Sequence, residues 1–106
     1  MIETPTIDHL ILRLEKYRIR VQDLPIKDKQ YVCGKIDVVA KVIILNLKNG
    51  YKSNIDSIAH ELIHDYYGES NTDEPYIEDL SQRYLSMFPE FESAIKQRLY
   101  DQTLMR

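Results

Sequence analysis

Cys33 is the only thiol in this chain of 106 residues. One cysteine excludes an intramolecular disulfide and any zinc site made of thiolates, so a bound metal would have to be held by histidine and carboxylate. In its Val32-Cys33-Gly34 setting the thiol is expected to be a small buried hydrophobe. The N-terminus, Met1-Ile2-Glu3-Thr4-Pro5, has no basic segment leading into an apolar one, and no apolar run is long enough to span a bilayer. A soluble, cytoplasmic protein with no membrane partner is expected. Repeats, linkers and low-complexity segments are also missing, and the length suits one domain, 1–106, with a modest core.

Charge is present but unevenly placed. Residues 1–52 carry ten Lys/Arg against six Asp/Glu, and residues 53–106 carry four against eleven. The basic charges of the first half are scattered rather than clustered, so no nucleic-acid partner is expected. The acidic second half suits a cation.

Pro5, Ile7, Leu10, Ile11, Leu14 and Tyr17 recur at helical spacing, which predicts an amphipathic helix over 5–17 with His9 off its apolar stripe. Ile19, Val21 and Leu24 alternate with polar residues and predict a strand over 18–24, closed by Pro25 and the charged turn at Lys27-Asp28-Lys29. Two further strands are expected at 30–36 and 41–47, the latter covered on both faces because Val42 to Leu45 is wholly apolar. Together they predict a small, mostly antiparallel three-stranded sheet. After Asn49-Gly50, Ser53-x-x-Asp56 resembles a capping box and Gly68 a stop, giving a helix over 54–67 with Ile55, Ile58, Ala59, Leu62 and Tyr66 on its apolar face. Asp73 is expected to cap a next helix with Pro75 in its first turn and Ile77, Leu80, Tyr84 and Met87/Phe88 inward. Pro89 breaks it, and a last helix is expected from Glu90 to about Tyr100. The fold class is α+β.

The polar face of the 54–67 helix carries Ser57, His60, Glu61 and His64, and His60-Glu61-Leu62-Ile63-His64 is an H-E-x-x-H element. Histidines four residues apart project from one side of a helix, where both imidazoles can hold one zinc ion and the glutamate can reach a water beside it. The bland reading is a solvated helix end that binds nothing. A catalytic zinc takes three protein ligands. Candidates for the third are Asp65, Glu69, Asp73, Glu74, Glu78, Asp79, Glu90 and Glu92. Asp65 is rotated away from the histidines, and Glu69 and Asp73 fall in a loop. Glu78, on the flank of the next helix's buried stripe, is favoured over Glu74 at that helix's start.

Ile77-Glu78-Asp79-Leu80-Ser81-Gln82-Arg83-Tyr84 resembles the glutamate helix of gluzincin metallopeptidases, in which a glutamate ligand is followed four residues later by a polar residue supporting a histidine. Gln82 stands where many gluzincins have aspartate. The order of Val42 to Leu47, a loop and the H-E-x-x-H helix is similar to the same group, and the short chain is similar to minigluzincins. The resemblance implies a zincin-like minimal scaffold and a zinc metallopeptidase. His60, His64 and Glu78 would bind Zn²⁺, Glu61 would act as general base and acid on the attacking water, and an extended peptide substrate would pair with the strand at Val42 to Leu47. It also implies latency, with the cleft closed by self-association or by the tail from Tyr100 to Arg106. The competing class is a non-catalytic α+β interaction module with structural zinc or none.

Overall fold

The computed structural model describes residues 3–68, 70 and 72–104. The first helix, α1, spans Ile7–Lys16, shorter than the apolar spacing alone suggests, because Thr6 takes the N-cap and its hydroxyl accepts from the His9 amide at 3.1 Å. Leu10 and Leu14 face the core, and Tyr17, at the C-cap, is buried with them.

Strands β1 (Arg18–Gln22), β2 (Gly34–Asp37) and β3 (Val42–Asn46) form one sheet in the order β1-β3-β2. Ile43 of β3 has no exposed surface, as expected of the strand with apolar residues on both faces. The sheet is mixed rather than mostly antiparallel: β2 pairs antiparallel with β3, and β1 pairs parallel with it. The reason lies in the connections. A tight turn, in which the Asp37 carboxylate accepts from the amides of Val39 and Ala40, folds β3 back on β2. The longer stretch 23–33 carries the chain past β3 to the far edge, leaving β1 and β3 running the same way.

That connection is pinned from below by Asn46, 1% exposed at the end of β3. Its amide donates to the carbonyls of Leu24 (3.2 Å) and Val32 (2.8 Å), and its oxygen accepts from the Lys48 amide (3.0 Å). These bonds make a buried amide tolerable and fix the loop over the sheet's edge.

Helix α2 spans Tyr51–Tyr67, three residues earlier than the capping-box pattern suggests, with Gly50 at its N-cap and no side-chain cap. Gly68 ends it in the left-handed region at φ 57°, its amide returning to the His64 carbonyl. Ile55, Ile58, Ala59, Leu62, Ile63 and Tyr67 are buried against the sheet and the other helices, while Tyr66 is half-buried. Helix α3 spans Glu74–Met87, capped by Asp73, whose carboxylate accepts from the Tyr76 amide at 3.3 Å. Leu85 rather than Met87 completes its buried stripe, and the Tyr84 hydroxyl ties the helix to the Pro5 carbonyl at 2.6 Å. Pro89 opens α4 (Pro89–Leu104), which buries Phe91, Ile95 and Leu99 and runs past the expected end at Tyr100.

Between α2 and α1, Asp65 meets the Arg13 guanidinium in an ion pair whose side chains are 9% and 28% exposed. Burial and the Asp65 carboxylate together push the Tyr17 hydroxyl up to about 12. Breaking a largely buried pair leaves one charge without a partner, so Asp65→Ala is expected to cost about 2–4 kcal/mol. Thermal unfolding should show it as a fall in Tm of roughly 10–20 °C for a domain of this size. The double variant Arg13→Met/Asp65→Leu should recover most of the loss; a single variant as stable as wild type would contradict the assignment.

Candidate metal centre

The half-buried face of α2 presents His60 and His64 one helical turn apart, their ring centroids 4.6 Å from each other. Both side chains are about one-fifth exposed, so neither is a freely solvated surface histidine. Glu74, in the first turn of α3, reaches both: its Oε2 lies 3.0 Å from His60 Nε2 and its Oε1 lies 2.8 Å from His64 Nε2. The ligating atoms of His60, His64 and Glu74 all lie within 4.8 Å of one another. Two imidazole nitrogens and a carboxylate oxygen so placed are a donor set that could hold a metal ion.

Glu78, one turn further along α3, contacts the other side of the same ring, its Oε2 2.8 Å from His60 Nδ1. With Nδ1–H donating to this carboxylate, Nε2 is the nitrogen aimed at Glu74. Gln82, another turn on, donates to Glu78 Oε1 at 3.3 Å. Glu78, the ligand favoured from sequence, is therefore at the centre, but on His60 alone. Glu74 is the carboxylate that bridges the two histidines.

The remaining candidates have other roles. Asp65 faces Arg13, Asp73 caps α3, Asp79 pairs with Arg83 at 2.9 Å and Glu92 with Lys96 at 2.7 Å. Glu90 sits in the first turn of α4, and Glu69 lies outside the described residues. His9 is exposed on α1 and packs edge-on against Tyr66 at 5.2 Å, away from the centre.

Glu61 lies beside the histidines in a half-buried position. Burial pushes its carboxyl up to about 7, with the nearby Glu74 charge adding to the shift and His60 opposing it. For His64 burial acts in the other direction and lowers its pKa, against the pull of Glu74. Both effects come from one feature, a polar face set over an apolar helix interior.

These groups form one wall of a cavity of about 670 Å³. The opposite wall comes from the loop before β2 and from β2 itself, through Tyr31, Cys33, Gly34, Lys35 and Ile36. The strand bordering the cavity is thus β2, an outer strand with one edge unpaired among the described residues, and not β3, which sits in the middle of the sheet with both edges occupied. A close approach makes this possible: a Cβ on Gly34 would lie 2.9 Å from the Ile44 carbonyl oxygen and 3.6 Å from Ser57 Cβ of α2. Cys33 is exposed at the cavity instead of buried, because the amide groups around it, not its side chain, make the inward contacts: its carbonyl accepts from Asn46 N and Asn49 Nδ2. Tyr31, whose hydroxyl donates to Asn49 Oδ1 at 2.6 Å, is the tyrosine among the described residues that line this cavity. Tyr31 and Lys35 carry no local signal in the sequence, since only the fold of the 23–33 stretch brings them over α2.

Residues Tyr100 to Leu104 continue α4, and among the described residues none of α4 lines this cavity; Met105 and Arg106 lie outside the description. Among the described residues no helix is long and apolar enough to cross a membrane. No protein-family model, curated protein or solved structure matches the chain. Fold and site alone define it: a small α+β protein with a His-His-Glu group that offers a metal ion three donors.

Proposed function

We propose that the chain is a zinc-dependent peptidase whose metal is held by His60, His64 and Glu74. The observation that carries this reading is the convergence of those three donors within 4.8 Å on one wall of an open cavity, with Glu61 next to them on the same helix. Glu78 then orients His60 through Nδ1, and Gln82 steadies Glu78. The carboxylate pair of the gluzincin glutamate helix corresponds in this reading to Glu74 and Glu78, one turn before the pair suggested by sequence.

When bound, zinc supplies Lewis acidity, which polarises a carbonyl and makes a water acidic near neutral pH. The chain's own groups do the rest. Glu61, half-buried beside the histidines and lining the cavity, is placed to take a proton from the attacking water and return it to the leaving amine. The unpaired edge of β2 offers backbone groups to an extended peptide, which sets the scissile carbonyl above the histidines. Tyr31 lines the same cavity, and its hydroxyl would have to leave Asn49 Oδ1 before it could donate to that carbonyl oxygen.

The test is metal analysis followed by a peptide-cleavage assay. One zinc per chain, lost in His60→Ala and His64→Ala, together with cleavage that a chelator stops and zinc restores, is the expected result. Absence of metal binding would favour an interaction module, and zinc without cleavage of any peptide would leave a structural metal site.

A further inference from the structure

Asp56 lies one turn before His60 on α2 and lines two cavities: the one at the metal centre and a neighbouring one of about 350 Å³. The second cavity runs between the start of α2, the end of α3 and the first half of α4, with an apolar wall from Tyr51, Ile55 and Leu85. A side chain leaving a peptide bound beside the histidines would pass Asp56 to enter it. We infer that this neighbouring cavity is a specificity subsite, and that Asp56 selects peptides carrying arginine or lysine beside the cleaved bond. The inference rests on the peptidase reading and adds the class of substrate to it.

The chemistry of the walls argues for a long basic side chain. Its aliphatic stem suits the Tyr51, Ile55 and Leu85 surface, and its long charged end can fold back onto Asp56, which lines this cavity as well as the first. Asp56 is only partly exposed, and the cation now near it is Lys52, at 3.6 Å with a side chain 84% exposed. Such an exposed pair within one helix contributes little and is screened by solvent. An incoming guanidinium can replace it, because Lys52 is free to turn into solvent. Lys96, the other cation at this cavity, is held by Glu92 at 2.7 Å and leaves Asp56 to the ligand. An acidic side chain would find Lys52 and Lys96 there only by drawing them from Asp56 and Glu92, and would leave those carboxylates facing it.

The experiment is cleavage of a degenerate peptide library by the zinc-loaded protein, followed by kinetics on matched peptides that differ only in arginine, leucine or glutamate at the enriched position. The expected result is enrichment of arginine and lysine next to the cleaved bond, with kcat/KM for arginine about tenfold above leucine, chiefly through KM. Asp56→Asn should shrink that ratio to about twofold or less and Asp56→Arg should turn it towards glutamate, with zinc content unchanged. In wild type the preference should fall as salt rises from about 0.05 to 0.5 M. Cleavage without a basic preference, or a preference that survives both Asp56→Asn and high salt, overturns this inference and leaves the peptidase reading standing. Failure to cleave any peptide overturns both.

Discussion

Glu61→Gln is expected to bind zinc as wild type does and to cleave peptides about 10²–10⁴-fold more slowly, the usual contribution of a positioned general base. The introduced amide would fill the same half-buried position without a titratable oxygen, so the loss should fall on kcat. The same substitution should have an opposite effect on stability in the metal-free protein. Burial raises the Glu61 carboxyl from 4.5 to about 7, so the unfolded chain releases this proton more readily than the folded one. The stability contributed by the protonated form is complete below about 4.5 and is lost as pH rises through about 7. Glutamine removes that loss. At pH 8, metal-free Glu61→Gln should therefore be more stable than metal-free wild type by roughly 2–4 kcal/mol, and the two should converge near pH 4. Urea unfolding in chelator at both pH values checks it. A variant that cleaves at the wild-type rate would remove Glu61 from the chemistry, and equal stability at pH 8 would remove the buried-carboxyl account of its proton affinity.

How far the sequence discloses this molecule depends on whether a feature is local. Pro75, Asp73, Gly68 and Pro89 act on backbone groups within a turn of themselves, and the helices begin or end near them. The apolar run Val42 to Leu45 correctly marks a strand covered on both faces. Which strands flank β3, and in which direction, depends on where the 23–33 connection travels, and no periodicity within a strand records that. The histidines and Glu61 were legible because their geometry is set by one helix. Which carboxylate reaches both rings was not, since Glu74 and Glu78 lie one turn apart on the same side of α3. The tilt and distance between α2 and α3 decide which of them spans both rings. The roof of the cavity was equally hidden, because Asn46 positions it through bonds to Leu24 and Val32, distant in the chain.

The roles of Glu74 and Glu78 can be separated by zinc affinity. Glu78→Gln keeps an oxygen that can accept the Nδ1–H of His60, so the ring stays oriented and only the charge behind it is lost; such changes typically weaken metal binding by about 10–100-fold. Glu74→Ala deletes the carboxylate that faces both Nε2 atoms and leaves two histidines as the donors, so its loss should exceed about 100-fold. Competition against a chromogenic chelator at fixed pH measures both, and pH must be fixed because each histidine has to give up a proton to bind metal. The low proton affinity of His64 helps here, since burial already disfavours its protonated form. If Glu78→Gln instead costs more zinc affinity than Glu74→Ala, the third ligand is Glu78, as the sequence alone suggests. The exposed position of Glu74 at the first turn of α3 would then place it at the entrance, bonded to the histidines only while metal is absent.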